Sequence, residues 1–323
     1  GLGLAARAVG TGVVGADPLR VGIVLREQDL GAWSGRLGEL ASHAVDAGID
    51  HLTVGDHVSF ADGHGADGLI QATALLSAHP RLSVQTGVYL IALRHPAVVA
   101  RQLATIALLA PGRFTFGVGV GGDDPSELEL CGINPRERGA RTTEALRCLR
   151  LFMRGEHVEF RGRFFDLRGA IRPTPSVPIP ILVGGRSDAA LVRTGQLGDG
   201  WLALWVSPRR FGEAVDRVDA VAAEARRGGV RWQHALQLWA GFGTSREVAR
   251  ERVSRTMSAS YALPFERFER YVPCGPPEAV ADALAPYLEV GVRRFNFVPE
   301  ATSLRDAIEA VAEVKALLPT VRT

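Results

Sequence analysis

A chain of 323 residues with 46% hydrophobic and 22% charged side chains has the balance of a soluble globular protein with a large core. Its formal net charge of +2, with the arginines scattered, supplies no clustered basic field of the kind a phosphate backbone requires, which excludes nucleic acid as an expected partner. Cys131, Cys148 and Cys274 have no spacing suited to zinc or to a disulfide framework, and no apolar stretch approaches the roughly 20 residues that span a bilayer, so a cytoplasmic protein without a metal is expected.

Residues 1–18 are small and weakly apolar, lack a charged n-region and a continuous h-region, and read as an N-terminal extension to a single domain over 19–323. From Leu19 onward, short β-rich runs alternate with helical patterns. "LRVGIVL" precedes a helix near 35–48; "HLTVG" precedes "LIQATALLSAH"; "LSVQTGVYLI" precedes "PAVVARQLATIALLA"; "RFTFGVGVG" precedes "RGARTTEALRCLRLFMRG". In the second half "IPILVGG", "GWLALW", "HALQLWAGFG" and "RRFNFVP" are each followed by a helical pattern. Continuous apolar strands belong in a parallel sheet covered on both faces, and eight βα units in unbroken series predict a closed (β/α)8 TIM barrel. Two segments interrupt the rhythm: 156–178 predicts a hairpin or ribbon, and 244–275 a lid, both as insertions shaping the substrate side at the C-terminal mouth.

Active-site groups of such a barrel come from the C-terminal ends of its strands. That rule selects Glu27, the pair Asp56-His57, Gly87-Val88, the glycines of "GVGVGGDD", "GGRS", Trp201 and the polar end of "FVPE". "GVGVGGDD" departs from GxGxxG, and its two acids would repel a pyrophosphate, which rules out a dinucleotide fold. Its glycines, Gly119 and Gly121 among them, either make a tight turn or let a flat ring approach the backbone. Gly184, Gly185 and Arg186, followed by a capping Ser187, form either a plain strand-to-helix turn or an anion site built from a helix N-terminus and a guanidinium. Trp201 is either core or a stacking partner for a cofactor. Asp56-His57 is either a capped polar turn or a functional pair in which His57 exchanges a proton near neutral pH while Asp56 orients it or binds the cofactor. Neighbouring residues on a strand point to opposite faces, so two different tasks are expected. No spacing suggests a metal or a serine hydrolase.

The ordered set "GIDHLTVGDH", "TGVYLIALRHPAVVARQLATIALLAPGRFTFGVGVGG", "ELELCGINPRERGARTTEAL", "RPTPSVPIPILVGGRSDAAL", "LGDGW" and "EVGVRRFNFVP" resembles the bacterial luciferase-like oxidoreductases, and most of all their branch that uses coenzyme F-420. The resemblance spans roughly residues 19–317. It implies a deazaflavin at the barrel mouth, a non-prolyl cis peptide at Gly87-Val88 behind the ring, and the cofactor phosphate at Gly184, Gly185 and Arg186. It further implies contact of Asp56 with the cofactor, proton transfer by His57, and an acidic substrate-side residue at Glu27. The chain departs from some sugar-phosphate-oxidising members, which carry a glutamate directly after the glycine turn where this chain has Gly122 and Asp123; Lys315 is its only lysine.

The expected activity is hydride transfer between coenzyme F-420 and a small organic substrate at a C=O, C=N or C=C group. The alternative is an FMN-dependent monooxygenase on the same barrel. A small-molecule substrate and a homodimeric assembly are the expected partners.

Overall fold

The computed structural model describes residues 18–60, 63–122, 125–261 and 263–318; apart from Pro18, the expected N-terminal extension lies outside the described residues. Strand β1 (Arg20–Leu25) leads to the short α1 (Glu27–Ala32) and to α2 (Leu37–Asp46), β2 (His51–Val54) to α3 (Gly68–Ala78), and β3 (Val84–Thr86) to α4 (Pro96–Leu109). β4 (Phe114–Val118) is followed by α5 (Ser126–Leu130) and α6 (Arg138–Phe152), then by a hairpin of β5 (Val158–Arg161) and β6 (Asp166–Gly169). β7 (Ile181–Gly184) leads to α7 (Asp188–Leu197) and β8 (Gly200–Leu204) to α8 (Pro208–Glu224). β9 (Ala235–Phe242) passes through α9 (Arg246–Tyr261) and the two-residue β10 (Cys274–Gly275) to α10 (Pro277–Glu289), and β11 (Arg294–Glu300) ends in α11 (Leu304–Leu317).

Parallel pairing runs β1-β2-β3-β4-β7-β8-β9-β11 and returns to β1, so eight strands close the (β/α)8 barrel that the alternation predicted. The chain chemistry marks the helix starts. Asp67 accepts from the Leu69 and Ile70 amides at 2.9 and 3.0 Å, and Ser187, Ser207 and Ser303 accept in the same way for α7, α8 and α11. Such caps contribute about 1 kcal/mol each. Pro96 and Pro208 occupy first helical positions, where the missing N–H costs nothing.

The main apolar core lies between sheet and helices, with Leu40, Leu75, Leu103, Leu149 and Val311 fully buried beside strand residues Val21, Ile23 and Phe116. Inside the barrel the packing is mixed. Leu182, Leu202 and Ala235 gather under Val88, while His51, Thr53, Gln85 and Asn296 are also buried. The His51 ring lies where a side chain on Gly22 would stand, and its Nε2 hydrogen-bonds with Asn296 Oδ1.

Two expectations require correction. The third strand ends at Thr86 rather than Ile91, because the backbone turns at the cis Gly87-Val88 bond. The hairpin occupies a helix-to-strand connection, the barrel end opposite the mouth, and is not a mouth insertion. Its tip folds back along α6, where buried Glu144 accepts from the amides of Arg163, Phe164 and Phe165 at 3.0, 2.8 and 2.8 Å. Segment 244–275 does lie at the mouth: Phe265, Phe268 and Val272 pack with Trp239, Val253 and Met257 as a second core over β9 and β11. Among the described residues no helix is long and apolar enough to cross a membrane.

Burial holds two histidines at the lower end of the barrel neutral: His51 titrates well below the ordinary value, and His234, whose Nδ1 accepts from the Trp201 amide at 3.0 Å, is pushed down to about 4. The unfolded chain takes up these protons near pH 6.5 and the folded chain only at lower pH, so stability present above pH 6.5 is lost as pH falls below it. The midpoint of thermal unfolding should therefore drop with acidification from pH 7 to 5. Circular dichroism melts of His234→Asn, which keeps an acceptor for the Trp201 amide without a titrating ring, should show a shallower slope than wild type.

Candidate active site

The ends of β2, β3, β4, β7 and β8 surround a cavity of about 310 Å³ at the barrel mouth. Its wall brings together Asp56, His57, Gly87, Val88, Gly119, Gly121, Gly184, Gly185 and Arg186, residues selected from the sequence, and adds Leu90, Leu204, Trp205 and Gln237.

The glycines have a definite steric reason. Val88 leans between two strands, and a Cβ on Gly119 would stand 2.5 Å from its Cγ2, one on Gly184 2.8 Å from its Cγ1. A Cβ on Gly87 would meet Thr53 Cγ2 at 2.6 Å and Gln237 Oε1 at 2.9 Å. Both flanks of the Gly87-Val88 turn must therefore be bare backbone, and bare backbone makes that wall of the cavity flat. Gly185 has φ +124°, a region that side-chain-bearing residues rarely enter, and it delivers Arg186 to the start of α7. Arg186 is exposed and lies 5.5 Å over the Trp205 ring, with no carboxylate partner among the described residues.

Asp56 and His57 have different surroundings. The Asp56 side chain has no exposed surface. Its oxygens accept from the Gly68 and Leu90 amides, each at 2.9 Å, and from both terminal nitrogens of Arg94 at 2.5 and 2.8 Å. Burial pushes its carboxyl upward while Arg94 and the two amides pull the other way. With its oxygens taken by four protein donors, this carboxylate braces the wall of the cavity from behind.

His57 faces the cavity. Its Nδ1 lies 3.1 and 3.4 Å from the two oxygens of Glu127, a buried carboxylate that also accepts from the Val58 amide at 3.1 Å. The ring stacks on Phe60 at 4.6 Å. An ionised Glu127 can only accept, so Nδ1 carries the proton of this contact and Nε2 is the ring nitrogen that Glu127 leaves unengaged.

Two further expected site residues stand elsewhere. Trp201 is fully buried; its Nε1–H donates to the Gly185 carbonyl at 2.6 Å and its ring packs on Phe211, so it braces the Gly184-Gly185 turn from behind. Glu27 heads α1 with an exposed side chain 4.0 Å from His64 and does not line the cavity. At the neighbouring strand end Glu300 is buried in an ion pair with Arg26 and accepts from Thr256 at 3.0 Å. The sequence reading missed Glu127, Arg94 and Gln237. The available signals were slight: an acid in the first turn behind the glycine loop, and a lone cation ending the run "LIALR".

Residues 29–271 match the model of the luciferase-like monooxygenase family. The chain belongs to that family. Among its luciferase-like relatives, an F420-dependent glucose-6-phosphate dehydrogenase of Kineococcus radiotolerans is 30% identical over 192 residues, 58% of this chain and 56% of the relative. Another from Nakamurella multipartita is 25% identical over 308 residues, 87% of this chain and 90% of the relative. The structure of an F420-dependent secondary alcohol dehydrogenase with an F420-acetone adduct superposes with a TM-score of 0.81 at 19% identity, over 94% of this chain and 99% of that one, and shares the luciferase-like fold.

Replacing Arg94 by Met leaves Asp56 buried without its cation. Loss of one partner from such a pair costs about 3–5 kcal/mol, so thermal denaturation of Arg94→Met should show a strongly lowered midpoint.

Proposed function

We propose that this chain is a coenzyme F-420-dependent oxidoreductase that moves a hydride between the deazaflavin and a small organic molecule, a carbonyl, imine or activated alkene or the reduced counterpart. The observation that carries the reading is the Glu127–His57 pair opening onto a flat, glycine-walled cavity with a cation at its rim. The residues suit a flat anionic cofactor. The wall over Gly119, Val88 and Gly184 is bare, the buried Gln237 Oε1 has no hydrogen-bond partner, and the N-terminal amides of α7 with Arg186 favour a phosphate. Asp188 at the same helix end is engaged by Arg217 at 2.9 Å, which tempers its repulsion of an anion.

When bound, the deazaflavin supplies a ring carbon that accepts or donates a hydride and reacts poorly with oxygen. The protein supplies the rest. In the oxidative direction His57 Nε2 takes the hydroxyl proton of the substrate, and Glu127 stabilises the resulting imidazolium; in the reductive direction Nε2 returns that proton to the developing oxyanion. Trp205, Tyr261 and Phe268, with ring centroids 4.7–5.4 Å apart, form an apolar rim that selects an organic body and limits water. Glucose 6-phosphate is not carried over from the relatives, because Gly122 stands directly after the glycine turn where some sugar-phosphate-oxidising members carry a glutamate.

Anaerobic fluorescence titration with coenzyme F-420 and with FMN checks the cofactor: saturable quenching with the deazaflavin is expected, and binding of FMN alone overturns the assignment. In turnover with a panel of small secondary alcohols, His57→Ala should lower kcat by about 10²–10⁴-fold while retaining cofactor affinity. Glu127→Gln retains an acceptor but removes the charge behind the ring. At saturating substrate its kcat should fall while KM and cofactor affinity stay near wild type; an unchanged kcat sinks the positioning role of Glu127.

A further inference from the structure

The barrel end opposite the mouth holds a second cavity, of about 610 Å³. Among the described residues Arg20, Arg231, Arg293 and Arg294 contribute to its wall and no acidic side chain does, and Arg231 already has a partner of its own. Arg294 opens β11 and is only 6% exposed, and its register partner on the adjacent β1 is Arg20. Two like charges directly opposite on paired strands repel, and a guanidinium taken out of water without a counter-charge is costlier still.

The described residues offset the charge of Arg294 only in part. The guanidinium of Arg294 has one hydrogen bond, from Nη2 to Thr115 Oγ1 at 3.4 Å, and its Nε has no partner. The nearby acid, Asp50, is engaged by Lys315 at 2.8 Å and by the Val21 amide at 2.6 Å. Burial accordingly pushes Arg294 down to about 10, and Arg20 adds to the shift. Beside the arginines the cavity has a flat apolar side, Trp232 stacked on His234 at 5.3 Å with 18° between the rings. A planar fork of donors suits tetrahedral oxyanions, and several such forks around one space suit an anion of more than one charge.

We propose that this lower cavity binds a phosphate-bearing small molecule, with its phosphate held by Arg294 and Arg20 and its body against Trp232. The site is separate from the mouth, since neither His57 nor Arg186 lines it. Its occupant joins the seam between β1 and β11 and so stabilises barrel closure.

The test is calorimetric titration of the full chain with inorganic pyrophosphate at physiological salt, paired with thermal melts. Wild type should bind saturably and its melting midpoint should rise with ligand. Arg294→Met should weaken binding by about tenfold or more, the scale of a lost charged hydrogen bond. Arg20→Gln changes an exposed side chain, leaves folding intact, and should weaken binding in the same direction; it decides the matter if Arg294→Met fails to fold. Arg186→Ala, which alters only the mouth, should leave the pyrophosphate signal in place. The proposal is overturned if wild type shows no saturable binding, if Arg20→Gln and a folded Arg294→Met bind as wild type does, or if Arg186→Ala alone abolishes the signal.

Discussion

The buried carboxylate of Asp56 fixes the geometry on which the mouth depends. It gathers the first amide of α3, the amide of Leu90 beyond the Gly87-Val88 turn, and the guanidinium of Arg94 ahead of α4, while Arg94 also reaches Asp67 at 3.2 Å. Two successive βα connections, β2 to α3 and β3 to α4, are thereby tied to one side chain. Desolvating such a pair is costly, and it is tolerated because both carboxylate oxygens are fully hydrogen-bonded and the Arg94 contact is two-pronged. The consequence falls on the next residue. His57 leaves the clamp with its backbone set, and Glu127 then fixes its ring from the far side, with one carboxylate holding both the His57 imidazole and the Val58 amide. His57 is thus held by two anchors, one for the chain and one for the ring.

Val88 is the second constraint. A branched side chain wedged between β4 and β7 requires that both strands present hydrogen instead of a methyl group, and Gly119 and Gly184 meet that requirement. The same pair of glycines therefore explains two properties of the mouth that look independent: close packing beneath the Gly87-Val88 turn and a bare wall above it. Gly185, braced through its carbonyl by Trp201, continues that bare surface to Arg186. The flat wall and the cationic rim thus come from one run of sequence, and the indole buried behind it acts as its support.

How much of this was legible in the sequence follows from how local each signal is. Continuous apolar strands and their capped helices are written in neighbouring residues, so eight strands, the order of the barrel and the mouth positions of His57, Gly119 and Arg186 could be read directly. Partnerships across the fold could not. Asp56 meets Arg94 38 residues later, and His57 meets Glu127 70 residues later. A free acid beside a histidine and an acid already saturated by buried donors look alike in one dimension, so the bracing role of Asp56 was not legible beside its expected cofactor contact. Trp201 misread for a related reason: its position at a strand start was correct, but the side of the sheet that its indole faces is decided by the helix packed there, with Phe211 on α8 taking the ring. The hairpin at 158–169 was legible as a hairpin, and its place at the lower end follows from the helical pattern that precedes it, which the expectation of a mouth insertion overlooked.

The distribution of apolar residues explains why a site this open is compatible with a stable barrel. Barrels of this class are commonly filled by layers of branched aliphatic side chains. Here the interior has only a small apolar group, Leu182, Leu202 and Ala235 under Val88, and shares the space with Thr53, Gln85 and Gln237, whose side chains carry polar atoms without hydrogen-bond partners from the chain. Each such group costs about 1–3 kcal/mol, so the interior cannot be the main source of stability. That source is the shell between sheet and helices, where the large fully buried aliphatic residues stand. Separating the two lets the axis of the barrel remain polar from His51 to Gln237, and lets the mouth give up side chains at Gly87, Gly119 and Gly184, because neither sacrifice touches the layer that holds the fold.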